Sequence, residues 1–153
     1  MLTLPKLILV AALTLPAQSY QAKVSPYVWY AQTELRCLAD NVYHEARGES
    51  KYGQALVAKV TLNRAKKMNE SICATVYKPY QFSWTIPKKK PKTDRYSIEY
   101  TDAMHAAYAA QLLKYNNLYY YHTKAVKPKW SKTLPKRLTH GNHIFYNENP
   151  SSL

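Results

Sequence analysis

The chain has 153 residues, which bounds it to one domain, or one domain behind a targeting segment. Hydrophobic residues make up 46% and charged residues 20%, a balance that builds a core and excludes a disordered chain, while only three glycines exclude collagen-like and glycine-rich linker architectures. Twenty-two Lys and Arg against nine Asp and Glu give a formal net charge of +13, which points to an anionic partner without choosing among nucleic acid, membrane and acidic polymer.

Residues 1–19 read as an export signal. Lys6 precedes a nine-residue apolar stretch, Leu7 to Leu15, which Pro16 ends, and Ala17 and Ser19 are small residues spaced for signal-peptidase cleavage after Ser19. The stretch falls short of the roughly 20 residues that span a bilayer, which leaves a weak, releasable membrane anchor as the alternative. Pro5 and Pro16 bracket the segment and argue against a buried helix. Its removal takes away one lysine and no acid, so the remainder stays strongly basic. The expected location is secreted or periplasmic. There nucleic acid is a poor partner, and a cell-wall or membrane-surface polymer is favoured.

Residues 20–32 have no clear period and read as a linker before a domain at 33–153. A first helix is predicted from Thr33, with Leu35, Leu38, Ala39, Val42 and Ala46 at helical spacing and Gly48 at its end. A second runs from Tyr52 to Lys67. Leu56, Val57, Val60 and Leu62 make it apolar on most sides, so it is the expected central buried helix. Residues 68–92 read as irregular, with the PKKKPK run an exposed loop. A third helix is predicted from Ser97 to Lys114, packing on Ala103, Ala106, Ala107, Ala110 and Leu113. Leu118 to Thr123 and His143 to Asn147 are short aromatic-rich strands separated by a basic loop, Lys124 to Arg137. The expected fold class is α+β, mainly helical, with a small two-stranded antiparallel element.

Two cysteines, Cys37 and Cys73, lie in the exported part, and an even count there implies one disulfide closing a loop of about 37 residues. Cys37 falls on the polar side of the first helix, away from the Val42 stripe. Two buried free thiols are the alternative.

The densest cluster of reactive residue types is Tyr43 to Ser50, YHEARGES. Glu45 follows Val42 by three positions and Leu38 by seven, which places it at the border of the apolar stripe. Partial desolvation there raises a carboxyl pKa and suits a general acid. Glu49, four residues on, supplies a second carboxyl, and paired carboxyls cleave glycosides. The bland alternative is a solvated charge, or a salt bridge from Glu45 to Arg47 or Arg64. A zinc motif beginning at His44 fails, because Gly48 stands where its second histidine belongs. Among the other acids, Glu34 and Asp40 are expected on the outer faces of the first helix.

Four blocks then occur in order: EARGE, GQALVAKVTLNR, QFSW and HIFY. Together they resemble the cell-wall hydrolase family typified by the spore cortex-lytic enzyme SleB, over roughly Leu35 to Tyr146. The resemblance implies a reduced lysozyme-like fold and cleavage of peptidoglycan glycan strands between N-acetylmuramic acid and N-acetylglucosamine. It implies Glu45 as the catalytic acid of a lytic transglycosylase, needing neither metal nor cofactor. A hydrolytic muramidase and a non-enzymatic cationic wall-binding protein are the alternatives, and a monomer is expected. The resemblance does not extend to a separate wall-binding domain. The lysine-rich loops are either its substitute, contacting anionic wall or membrane polymer, or solvated surface. A phage endolysin and a periplasmic remodelling enzyme both fit.

Tyr80, Gln81, Phe82, Ser83 and Trp84 are expected to line the sugar cleft, because rings stack on pyranose faces and amides bond N-acetyl groups. Phe82 reads equally as core. Asn63 and Arg64 are expected to support the acid from behind, with a helix cap as the other reading of Asn63. Tyr120, His122, His143 and Tyr146 are candidate cleft residues on the strands, with a packed aromatic seam as the other reading. Trp130 is expected to anchor the basic loop.

Overall fold

A computed structural model describes residues 26–86 and 91–148. The expected export signal at 1–19 and the first part of the linker, to residue 25, lie outside the described residues. Four helices, α1 (Pro26–Ala46), α2 (Lys51–Met68), α3 (Ile72–Tyr77) and α4 (Ile98–Ala109), are followed by three strands, β1 (Leu118–Thr123), β2 (Lys136–His140) and β3 (His143–Asn147). The sheet is antiparallel in the order β1-β3-β2. The α+β class is therefore as expected, with two differences. The sheet has three strands rather than two, and α3 is an additional short helix inside the stretch read as irregular.

Each difference has a local cause. β2 occupies KRLTH at the end of the basic loop, where charges mask the alternation; only Leu138 packs against the core. Ser71 starts α3 by accepting from the Ala74 amide, and the Glu34 carboxylate of α1 accepts from the Ile72 and Cys73 amides at the same helix start. Glu34 is thus a cap reached through space, not a solvated outer charge. α1 itself begins at Pro26, so residues 26–32 are helical rather than linker.

Serine caps also open α2 and α4: Ser50 accepts from the Gly53 amide and Ser97 from the Tyr100 amide. Asn69 closes α2 in the left-handed conformation, its amide donating to the Ala65 and Lys66 carbonyls. Gly48 does not end α1 in that way. Gly141 is the left-handed glycine among the described residues, and a Cβ on Gly48 would meet nothing within 4 Å.

α2 is the buried centre, with Ala55, Leu56, Val57, Ala58 and Val60 almost fully enclosed. α1 packs beside it, and α4 closes both through Ala103, Ala106, Ala107 and Ala110, whose small side chains permit close approach. Leu118 and Phe145 extend this core into the sheet. Cys37 and Cys73 are bonded, joining α1 to α3 with their Cα atoms 5.1 Å apart. Cys37 is buried beneath that bridge rather than facing solvent. Among the described residues, no helix is long and apolar enough to cross a membrane.

Candidate active site

Glu45 occupies the last turn of α1, half-buried as its position beside the apolar stripe requires. The Tyr121 hydroxyl donates to its Oε2 at 3.0 Å. Burial pushes the Glu45 pKa up, while the Tyr121 hydrogen bond and the nearby Arg64 guanidinium pull it down. No ion pair to Arg47 or Arg64 forms; Arg47 lies over the Tyr43 ring instead. The carboxyl is therefore held by one neutral donor, with a cation close enough to ease ionisation.

Tyr121 is the residue that motif reading misses. It sits among three consecutive tyrosines, and only the strand register separates them. Tyr121 pairs with Phe145 and Thr123 with His143, so these side chains share the face turned to Glu45. The rings of His143 and Phe145 lie 5.3 and 5.9 Å from that of Tyr121. Tyr120 and His122 pair with Tyr146 and Ile144 on the opposite face. There the His122 Nε2 and the Tyr146 hydroxyl are 2.9 Å apart, and Trp130 packs against Tyr120, His122 and Tyr146. Trp130 thereby fastens the basic loop to the sheet. Of the four strand residues named as cleft candidates, His143 alone shares the Glu45 side.

Glu49 is engaged elsewhere. Its carboxylate accepts from the Asn142 amide at 3.1 and 3.3 Å and lies 3.4 Å from the His143 Nδ1. A Cβ on Gly141 would fall 1.7 Å from its Oε2, and Gly141 has φ of +52°, so both space and backbone demand glycine there. Glu49 thus clamps the β2–β3 turn onto the α1–α2 turn. A second clasp lies alongside, where Ser50 Oγ and His140 Nε2 are 2.7 Å apart. Burial holds the His143 pKa below the ordinary value, opposed by Glu49.

Asn63 does not touch Glu45. Its amide donates to the Tyr115 and Leu118 carbonyls at 2.7 and 2.8 Å, fixing the entry to β1. Arg64 is the closer neighbour of the acid. Its Nε donates to the Tyr119 carbonyl, and its guanidinium lies over the rings of Phe82 and Tyr120. Arg64 so links the QFSW segment, β1 and the carboxyl. Phe82 is buried beneath it, in accord with the core reading.

Trp84 reaches the site from the other side. Its indole stacks on the His44 ring, 4.4 Å between centroids, and its Nε1 donates to Asn41 Oδ1. Asn41 in turn donates to Thr61 Oγ1 on α2. Gln81 is half-buried and Ser83 exposed, while Tyr80 is 89% exposed with φ of +63°, a left-handed conformation unusual for a tyrosine. The chain before and after this segment is tied down by Asp40, which lies inside the fold rather than on an outer face. Tyr77 and Tyr100 donate their hydroxyls to it and Arg95 its Nε and Nη2, with Arg95 Nη2 at 2.7 Å. A helical wheel of α1 alone cannot place Asp40 correctly, because its partners come from residues 77 to 100.

A groove of about 910 Å³ lies at the start of α1 against Leu62, Met104 and Tyr108 and contains none of these groups.

The model of the cell wall hydrolase family matches residues 48–146. The spore cortex-lytic enzymes of Oceanobacillus iheyensis and Bacillus cereus are each 29% identical to the chain, over 125 and 118 residues. Both alignments cover 76% of the chain but 42% and 45% of the relatives, so the chain spans less than half their length. The catalytic domain of the Bacillus cereus SleB protein matches with a TM-score of 0.62 at 28% identity, covering 76% of this chain and 91% of that one. The catalytic domain of the germination-specific lytic transglycosylase SleB from Bacillus anthracis matches with a TM-score of 0.59 at 27% identity, covering 76% and 95%.

Proposed function

Since the chain belongs to the cell wall hydrolase family, we propose that it cleaves peptidoglycan glycan strands between N-acetylmuramic acid and N-acetylglucosamine as a lytic transglycosylase, with Glu45 as its single catalytic carboxyl. The observation that carries this is the state of Glu45: half-buried, its pKa raised by desolvation, and held through Oε2 alone by Tyr121. Similarity to two SleB catalytic domains, one of them that of a germination-specific lytic transglycosylase, supports the same reaction.

The Tyr121 bond leaves Oε1 as the oxygen to carry the proton. Glu45 donates that proton to the glycosidic oxygen as the bond from C1 of the muramic residue breaks. The carboxylate, eased into ionisation by Arg64, then takes the proton of the muramic 6-hydroxyl as its oxygen bonds to C1. A 1,6-anhydro end forms, no water is consumed and Glu45 is restored to its acid form. Opposed influences on one carboxyl suit a group that must serve as acid and then as base.

A hydrolase requires a second carboxylate across the sugar, about 5–5.5 Å away for a nucleophile and 6.5–9.5 Å for a general base. Glu49 is occupied at the Asn142 amide, which favours a positioning role for it. Gln81, Ser83 and Trp84 would form one cleft wall, with Tyr80 a contact at its rim. Tyr120, His122 and Tyr146 would support the sheet from behind. A peptidoglycan substrate, together with the export signal expected at 1–19, supports an activity outside the cytoplasmic membrane.

Mass spectrometry of purified peptidoglycan digested by wild type and by Glu45→Gln tests the proposal. Anhydro-muramic ends from wild type and none from the variant are expected. Reducing ends one water heavier would overturn the single-acid mechanism. No release at all would leave a cationic wall-binding protein.

A further inference from the structure

α2 turns a second face to a concave site whose lining does not include Glu45. Lys59, Asn63, Lys66 and Lys67 line a cavity of about 390 Å³, with Asn116 and Tyr119 opposite. Arg64, which reaches toward the acid, follows Lys59 by five residues and so lies roughly 140° round the helix. The cavity is a site of its own, whatever reaction Glu45 performs.

Lys59 is the decisive residue. It is 7% exposed, yet no acceptor or carboxylate among the described residues meets its ammonium. The charge that acts on it is another cation, Lys66, and burial together with that repulsion holds its pKa below the ordinary lysine value. Lys67 differs: its ammonium is paired with Glu148 at the cavity edge and lies 5.4 Å from the Tyr119 ring centroid. Two cations therefore face the cavity with the local acid already committed. The Lys59 stem is buried while its ammonium opens to the cavity, so two cations without a counter-charge there attract an anion.

The donor types indicate which anion. The fork of arginine fits carboxylate and phosphate alike, and no arginine lines this cavity, so it offers point charges rather than a bidentate site. Ammonium groups act as point charges with rotatable donors, which suits the tetrahedral oxygens of phosphate. We propose that this cavity binds a phosphate group, held by Lys59 and Lys66 with the Asn116 side chain as a neutral neighbour. A free phosphate, a wall polymer of glycerol phosphate and a phospholipid headgroup all present this chemistry.

The test is amide NMR of the disulfide-intact chain titrated with inorganic phosphate, with chloride and acetate at matched ionic strength as comparisons. Saturable shifts confined to residues 59–67 and 116–119, produced by phosphate alone, are expected. Lys59→Met keeps the apolar stem and should weaken phosphate binding about tenfold or more, as loss of a charge-assisted hydrogen bond does. Lys66→Met, at an exposed position, should weaken it several-fold and serves if the first variant fails to fold. Shifts that do not saturate, that chloride or acetate reproduce, or that persist at full affinity in the folded variants would overturn the proposal. Parallel titrations with poly(glycerol phosphate) and with phosphatidylglycerol vesicles identify the source as the tighter of the two, and free phosphate if neither exceeds the inorganic ion.

Discussion

Asp40 and Glu45 are carboxylates on the same helix, five positions apart, in opposite surroundings. Asp40 is fully enclosed and accepts from Tyr77, Tyr100 and both ends of the Arg95 fork. Its neighbours answer to it: burial and the Asp40 charge push the Tyr100 pKa up to about 12, and Tyr77 rises from the same causes. Both tyrosines thus remain donors at any pH at which the protein works. Glu45 accepts one hydrogen bond and keeps an oxygen free. A carboxylate with every lone pair occupied fastens segments together. One left half-satisfied at the edge of the core keeps an oxygen available for proton transfer. Glu49 belongs with Asp40 in this contrast, since its oxygens are taken by the β2–β3 turn.

The contrast breaks most sharply at the two acids themselves. Glu45→Gln should lower glycan cleavage by at least about 100-fold while the circular dichroism spectrum stays native, because the amide keeps the Tyr121 contact but donates no proton. The same variant reports on stability. Unfolding returns the Glu45 carboxyl to about 4.5, below its raised native value. The native state therefore holds the proton more tightly, and wild-type stability falls as pH rises from about 4.5 through the native value. Glu45→Gln should show a flatter profile there, gaining on wild type toward neutral pH and losing that advantage below about 4.5. Urea melts of both proteins across this range check the sign.

Asp40→Ala should do the converse, costing roughly 2–4 kcal/mol of stability by urea unfolding, since it strands two tyrosine hydroxyls and a guanidinium. Arg95→Ala should cost less, because that side chain is 55% exposed. An Asp40→Ala protein as stable as wild type would remove the fastening role.

Tyr121→Phe sharpens the picture at Glu45. Loss of the donor that eases ionisation moves the Glu45 pKa further up. The pH–rate limb set by this carboxyl should shift to higher pH, with kcat falling about tenfold. A fall in rate with an unmoved limb would make Tyr121 a packing residue only. Glu49→Gln should have the smallest effect, a few-fold loss of activity, because an amide still accepts from Asn142. Gly141→Ala, which drives a methyl into the Glu49 carboxylate, should lose more than Glu49→Gln does. Equal losses in activity assays of the two variants would argue against the clamp.

Much of this arrangement is visible along the chain. The apolar spacing Leu38–Val42–Ala46 builds α1 and dictates that Glu45 is half-buried, so its raised pKa is a local consequence of helical periodicity. The alanine face of α4 and both aromatic strands are equally readable, since each is written in consecutive or evenly spaced residues. β2 is not, because charged residues on an exposed strand erase the alternation. Tyr121 is hidden at the end of a run of three tyrosines, and only pairing with Phe145 across the sheet selects it.

Short-range pattern therefore determined the helices, the aromatic strands, the half-burial of Glu45 and the cysteine pair available for bridging. Tertiary structure decided the rest: that Asp40 and Glu34 turn inward to partners some 37 to 60 residues away, that Asn63 braces β1 rather than the acid, and that Glu49 is spent on Asn142, 93 residues on. The physical reason is the range of the forces. Periodicity sets how deeply a side chain is buried, because burial follows from its own helix or strand. Hydrogen-bond partners of a polar group come from whichever segments the core brings alongside it, and no local pattern records them.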